Sequence, residues 1–252
     1  MIAAQTQFLT APDGARLAYR LRPGAGPTVV WLGGFRSDMT GTKAASLDAW
    51  AARTGRGYLR FDYFGHGESD GAFAGGTISR WRADSLMVID ALGTGPLVLV
   101  GSSMGGWMAL LAALARPERV KGLLLIAPAP DFTGTLMAPS LPEEARAALA
   151  ATGLWERPSP YGDGAYVITQ ALLDDGARWN LLDAAIPFAG PVRILQGMAD
   201  DDVPWRHATR LMEALDSPDA RLTLVKAGDH RLSTPGDLVL LEEALEGLLA
   251  RV

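Results

Sequence analysis

The sequence predicts an α/β fold in which a mostly parallel, eight-stranded sheet carries helices on both faces. Three observations predict it. Short apolar runs without alternation, Thr28 to Leu32, Leu97 to Gly101 and Gly122 to Ala127, are what strands covered on both faces require. Segments with helical spacing separate these runs, so strands and helices alternate along the chain. The first two runs end on glycines, at the carboxyl ends where a parallel sheet gathers its functional loops.

Taken in order, Thr6 to Thr10 and Ala15 to Arg20 flank Pro12-Asp13-Gly14, a turn signal, and form an antiparallel hairpin. The strand Thr28 to Leu32 runs into Gly33-Gly34-Phe35. Thr42 to Thr54 places Ala45, Leu47, Trp50 and Ala51 at helical spacing and stops at Gly55, before a strand at Tyr58 to Phe61. A polar, glycine-punctuated loop, Asp62 to Asp70, leads to a helix over Thr77 to Leu92. Then come the strand at Leu97, a helix at once after it, and the strand Gly122 to Ala127. From Asp131 to Gly190 no strong strand is evident. Prolines at 139, 142, 158, 160 and 187 and helical patches at Glu143 to Ala151 and Val167 to Leu182 predict a small helical lid. Pro191 to Gln196 and Arg221 to Val225 return to the sheet, with helices at Trp205 to Leu215 and Leu238 to Leu249. Residues 1–130 and 191–252 therefore form the core, residues 131–190 an insertion, and the whole a single domain.

A chain of 252 residues, 48% apolar and 20% charged, can bury a full core. Its net charge of −5, without a basic run, offers no footprint for nucleic acid. With no cysteine, disulfides, thiolate nucleophiles and Cys-based metal sites are excluded. No apolar run approaches the roughly 20 residues that span a bilayer. MIAAQTQFLTAPDG lacks a charged region followed by an apolar one, so a cytoplasmic location is expected. The expected partner is a small-molecule substrate, and the expected assembly a monomer or homodimer.

Gly101-Ser102-Ser103-Met104-Gly105, between strand and helix, matches GxSxG, the pattern of a nucleophilic serine on a sharp turn. A serine hydroxyl needs a general base, and the base needs an orienting acid. The histidines are His66, His207 and His230. His230 follows the last strand, where its loop falls beside the central nucleophile, and is the favoured base. His66, in the loop after Phe61, is the alternative, and His207 lies within a helix. Asp200, in the first turn after the strand ending at Gln196, is the favoured acid, with Asp131 the alternative; Asp201 and Asp202 read as exposed or helix-capping carboxylates. An oxyanion hole needs two backbone N–H donors. Met104, after the serine, is one candidate and Phe35, after Gly33-Gly34, the other. The order Ser103, Asp200, His230 is that of α/β-hydrolases.

The resemblance to that superfamily covers nearly the whole chain. Gly41-Thr42-Lys43-Ala44, Arg60-Phe61-Asp62-Tyr63, Gly101 to Trp107, Ala115-Arg116-Pro117-Glu118, Gly197-Met198 with Asp200, Val203-Pro204-Trp205 and Asp229-His230-Arg231 look most like the palmitoyl-protein thioesterases that also hydrolyse acyl glucuronides. The resemblance implies an α/β-hydrolase fold, a triad of Ser103, Asp200 and His230, and no metal or cofactor. Gln196 departs from the superfamily, in which many members carry histidine before the glycine. Eukaryotic members are mitochondrial, but this sequence shows no amphipathic, Arg-rich presequence, so that location is not carried over.

Apolar side chains predict an acyl pocket: Leu136, Met137, Leu149, Leu154, Trp155, Tyr161, Trp179 and Phe188 in the lid, with Met39 and Met198 beside the site. Met39, Trp155, Trp179 and Met198 are the expected substrate-binding residues. The expected activity is a serine esterase or thioesterase acting on acyl chains of medium length. A peptidase of the same fold and a non-catalytic binding module are the alternatives.

Overall fold

The computed structural model describes residues 5–158 and 165–252. The chain runs β1 (Gln7–Thr10), β2 (Arg16–Arg22), β3 (Ala25–Leu32), α1 (Thr42–Thr54), β4 (Arg56–Phe61), α2 (Ile78–Leu92), β5 (Leu97–Ser102), α3 (Met104–Ala115) and β6 (Val120–Ile126). An inserted segment follows, with a π-helical turn at Thr133–Met137, α4 (Ala138–Ser140), α5 (Glu143–Thr152), β7 (Leu154–Pro158), β8 (Ala165–Thr169) and α6 (Gln170–Gly176). β9 (Val192–Gly197), α7 (Trp205–Ala214), β10 (Ala220–Val225) and α8 (Pro235–Leu249) complete the fold.

The eight-stranded sheet has the order β1-β2-β4-β3-β5-β6-β9-β10. β2 is antiparallel to both of its neighbours, and the other neighbouring pairs are parallel. The continuous apolar runs have a direct cause. Along β5, Leu97 and Leu99 face the core that holds α2, α3 and α7, whereas Val98 and Val100 face the one that holds α1 and α8. β6 divides in the same way, Leu123 and Leu125 against Leu124 and Ile126. Both faces of Leu97 to Val100 and of Leu123 to Ile126 are buried, so these stretches carry no polar residue, and the exposed Lys121 sits near the start of β6. The α3 residues Met104 to Ala113 are all buried, which places this helix between the sheet and further packed elements.

The N-terminal hairpin turns through Gly14 at φ +89°, with the Asp13 carboxylate accepting the Ala15 N–H at 3.1 Å. α1 ends where Gly55 adopts the left-handed conformation at φ +69°. α8 begins three residues before the apolar pattern does, at Pro235, because Thr234 and Asp237 form a reciprocal capping box.

The insertion differs from the helical lid expected. β7 and β8 pair as an antiparallel hairpin, and Val167 to Thr169, expected in a helix, lie in β8. The β-branched Val167, Ile168 and Thr169 favour a pleated strand. The Thr169 hydroxyl then accepts the Leu172 N–H at 3.1 Å and starts α6. Leu141, Ala145, Leu149 and Ile168 give the insertion a small core of its own. Tyr161 lies outside the described residues. Among the described residues no helix is long and apolar enough to cross a membrane.

Candidate active site

Ser103 sits between β5 and α3 at φ +54°, ψ −119°, a conformation that costs a non-glycine residue about 1–3 kcal/mol. Its neighbours explain the glycines. A Cβ on Gly101 would lie 2.3 Å from the Gly105 carbonyl oxygen, and one on Gly105 would lie 2.0 Å from that of Leu32. Both clashes are with backbone, which no side-chain rotation relieves. The turn is tied down by the Ser103 N–H, which donates to Ile126 O at 2.9 Å, and by Ser103 O, which accepts from Ala129 N at 3.1 Å.

Two later strand ends converge on this serine. The loops after β9 and β10 pack so closely that a Cβ on Gly197 would meet Gly228 O at 2.2 Å. From the second loop, His230 Nε2 lies 3.1 Å from Ser103 Oγ, and Nδ1 lies 2.8 Å from Asp200 Oδ2. Asp200 is 6% exposed, and its carboxylate is saturated with donors. Oδ1 accepts the N–H groups of Asp202 and Val203 at 2.9 and 2.8 Å, and Oδ2 also accepts Gln196 Nε2 at 3.0 Å. Gln196 had no role in the sequence reading. Fully buried at the end of β9, it spans Asp200, Val203 O and Gly197 O and fixes the carboxylate from behind. Asp201 and Asp202 are exposed and do not cap α7, whose N-cap is Pro204 with no side-chain bond. Asp200, Asp202 and His230 hold ligand atoms within 4.8 Å of one another. A cation there would compete with the His230–Asp200 hydrogen bond.

The alternative acid and base are engaged elsewhere. Asp131 accepts the N–H groups of Leu181 and Leu182 at 2.8–3.0 Å, tying the end of the insertion to the segment after β6, and burial pushes its carboxyl up. His207 is buried and its Nε2 meets Pro130 O at 2.8 Å. His66 is 3% exposed; its Nε2 accepts the Arg36 N–H at 3.2 Å, and Nδ1 lies 3.2 Å from Phe64 O.

Burial pushes His66 down to about 4. An unfolded histidine titrates near 6.5, so between these values the unfolded chain binds a proton that the folded chain refuses. The stability held above pH 6.5 is therefore lost as pH falls towards 4. Between pH 7 and pH 5 wild type should lose about 2 kcal/mol more than a His66→Gln variant. Urea unfolding at both pH values measures this, and parallel losses would contradict it.

Ser103, His230, Phe35 and Met104 line one cavity of about 390 Å³. Ala129, Phe132, Leu136, Met137, Ile168, Val203 and Pro204 supply most of its apolar wall, with Ser140, Asp201 and Asp202 also lining it. Of the expected acyl-pocket residues, Leu136 and Met137 are in this wall. Met39, Trp155, Trp179 and Met198 are not among the described residues that line it. Met39 is fully buried, with its N–H and C=O bonded to Asp62 and Arg60. Trp155 packs on the insertion's own core. Trp179 packs on the main core, bonded through Nε1 to Ser79 Oγ and through its carbonyl to Trp107 Nε1. Met198 is half-buried, with its N–H donated to Val225 O. Apolar character marked these side chains for burial, and burial in a core uses the same residue types as burial beside a ligand.

Comparison with known proteins bears on this geometry. The family model described as "Alpha/beta hydrolase family" matches residues 18–245. "Palmitoyl-protein thioesterase ABHD10, mitochondrial" from Bos taurus is 38% identical over 246 residues, 97% of this chain and 80% of the relative. A crystal structure of a putative hydrolase from Agrobacterium vitis superposes with a TM-score of 0.94 at 45% identity, covering 98% of this chain and 100% of that one. Alpha/beta hydrolase domain-containing protein 10 from mouse superposes at 0.90 with 37% identity, covering 98% and 99%. The bovine relative is named as mitochondrial, and this overturns the cytoplasmic expectation. Targeting segments are read apart from the folded domain and removed, so the pattern of a domain sequence does not record its compartment. With its sheet order, its serine turn and these matches over nearly its full length, the chain belongs to the alpha/beta hydrolase family, alongside the palmitoyl-protein thioesterases of that family.

Proposed function

We propose that this hydrolase cleaves acyl esters or thioesters through an acyl-enzyme on Ser103, with His230 as general base and acid and Asp200 orienting it. One observation carries the reading. The hydrogen-bonded series Asp200, His230, Ser103 opens onto a mainly apolar cavity.

Each step uses a named atom. Ser103 Oγ attacks the acyl carbon while His230 Nε2 takes its proton, and Asp200 stabilises the imidazolium so formed. The N–H groups of Phe35 and Met104 receive the oxyanion of the tetrahedral intermediate. Each such donor is worth about 3–4 kcal/mol in typical deletions. Collapse returns the proton from His230 to the leaving alcohol or thiol. Water, deprotonated by the same nitrogen, then attacks the acyl-enzyme, and the bond between the acyl carbon and Ser103 Oγ breaks as His230 returns the proton to Oγ, releasing the acid.

Residues 131–190 act as a lid on the core of residues 1–130 and 191–252, and supply the acyl wall through Phe132, Leu136, Met137 and Ile168. The cavity volume is near the lower end of the roughly 300–1,000 Å³ of ligand pockets, which favours chains of medium length. The name of the bovine relative supports the thioester arm. Hydrolysis of nitrophenyl esters from two to sixteen carbons, alongside acyl thioesters and acyl glucuronides, should peak at medium chain length. A maximum at acetate would refute the acyl-wall reading.

A further inference from the structure

We propose that His66 and Tyr63, both from the loop after β4, are positioning residues for the oxyanion hole: they hold the backbone on either side of the Gly34–Phe35 peptide. The inference rests on the reading of the Phe35 N–H as an oxyanion donor.

Three successive peptides after β3 are each held at one atom. The Gly33 carbonyl accepts the Tyr63 hydroxyl at 3.3 Å. The Gly34 carbonyl accepts the Ser37 N–H at 3.0 Å, and in a trans peptide the Phe35 N–H must then point the opposite way. The next N–H, of Arg36, donates to His66 Nε2 at 3.2 Å. Arg36 stands at φ +57°, in the left-handed region that a non-glycine residue occupies only when its surroundings hold it. The loop also lies against the serine turn, since a Cβ on Gly34 would be 3.5 Å from Ser103 Cβ. A small rotation of these peptides therefore moves the Phe35 N–H relative to the reacting carbon.

His66 suits this task because its protonation state is fixed by its partners. A backbone N–H can only donate, so Nε2 carries a lone pair and the single proton lies on Nδ1, facing Phe64 O at 3.2 Å. The ring is locked edge-on among Tyr63, Phe73 and Trp81, with centroids 5.2–5.5 Å away. Asp62 joins the two loops, accepting the Met39 N–H at 2.7 Å from one and the Glu68 N–H at 2.9 Å from the other. The loop after β4 is thus a rigid brace for the loop after β3.

Steady-state kinetics on a nitrophenyl ester, with inhibition by a trifluoromethyl ketone that forms an oxyanion on the serine, test the brace. His66→Phe fills the aromatic box but cannot accept the Arg36 N–H. It should lower kcat by roughly 10- to 100-fold, leave KM within about twofold, and raise the ketone Ki by the same factor as kcat falls. His66→Gln, whose side-chain oxygen can accept, should recover most of the loss. Tyr63→Phe should lose roughly 3- to 10-fold in the same pattern. A folded His66→Phe with kcat within about threefold of wild type, or with reduced kcat but unchanged ketone Ki, overturns the proposal. If His66→Phe does not fold, Tyr63→Phe decides, and unchanged kcat and Ki there overturn it. Ser103→Ala run in parallel separates the two readings. Activity retained in that variant removes the nucleophile, whereas activity lost there but unaffected by the brace variants removes only the brace.

Discussion

Replacing Ser103 with alanine is expected to lower kcat for ester hydrolysis by about 10⁵- to 10⁶-fold while leaving the fold intact, as loss of the nucleophile does in triad serine hydrolases. The reason is local. His230 Nε2 has Ser103 Oγ at 3.1 Å as its hydrogen-bond partner, so in the proposed mechanism loss of that oxygen leaves the base no nucleophile bound in place to activate. The turn should survive, because Ser103 is held through its backbone N–H and C=O and alanine occupies the same backbone position. Unaltered circular dichroism and melting temperature, with hydrolysis near the rate without enzyme, is the expected result. Retention of more than about 1% of wild-type kcat would show that another group attacks the acyl carbon.

Asp200→Asn should come next in size, with a loss of about 10⁴-fold in kcat. All four groups bonded to the Asp200 carboxylate are donors or act as donors: the N–H groups of Asp202 and Val203, Gln196 Nε2 and His230 Nδ1. An asparagine has one oxygen where the carboxylate has two. Its oxygen satisfies the two backbone donors, and its NH₂ then faces both Gln196 Nε2 and His230 Nδ1. Donor meets donor at Gln196, and His230 is driven to the tautomer with the proton on Nε2, which cannot accept from Ser103. The same change at Asp131 should leave the pH dependence of kcat unaltered, since Asp131 bonds the Leu181 and Leu182 N–H groups rather than the histidine. Kinetics of the two variants side by side assign the acid. Equal losses would contradict the assignment to Asp200.

The parts of this protein legible in its sequence are those fixed by short-range chemistry. The serine turn is one, because strand, glycines and helix lie within fifteen residues and each has a steric reason. α1 is another, bounded by Thr42 and Gly55 as the pattern indicates. The central strands were legible for the opposite reason, since burial on two faces leaves runs such as Leu97 to Val100 with no polar residue to confuse the period, whereas the half-exposed β1 and β2 were legible from their alternation around Pro12-Asp13-Gly14. The insertion was less legible. β7 reads Leu154-Trp155-Glu156-Arg157-Pro158, where a proline and two adjacent charges hide a strand that is specified by its pairing with β8. The cavity wall was only half legible, because Met39 and Met137 are the same residue type and only the tertiary fold sends one into the core and the other to the cavity. Gln196 and His66 were overlooked as supports. Their importance lies in what they bond: the Arg36 N–H is thirty residues from His66, and Asp200, though only four residues from Gln196, meets it through a turn whose geometry no residue pattern records.

The most direct test of the central claim is covalent capture. Wild-type protein treated with a fluorophosphonate, digested and mapped by mass spectrometry should carry one adduct, on the oxygen of Ser103, and Ser103→Ala should carry none. Labelling at another residue, labelling that persists in Ser103→Ala, or no labelling of active wild-type protein would contradict the account.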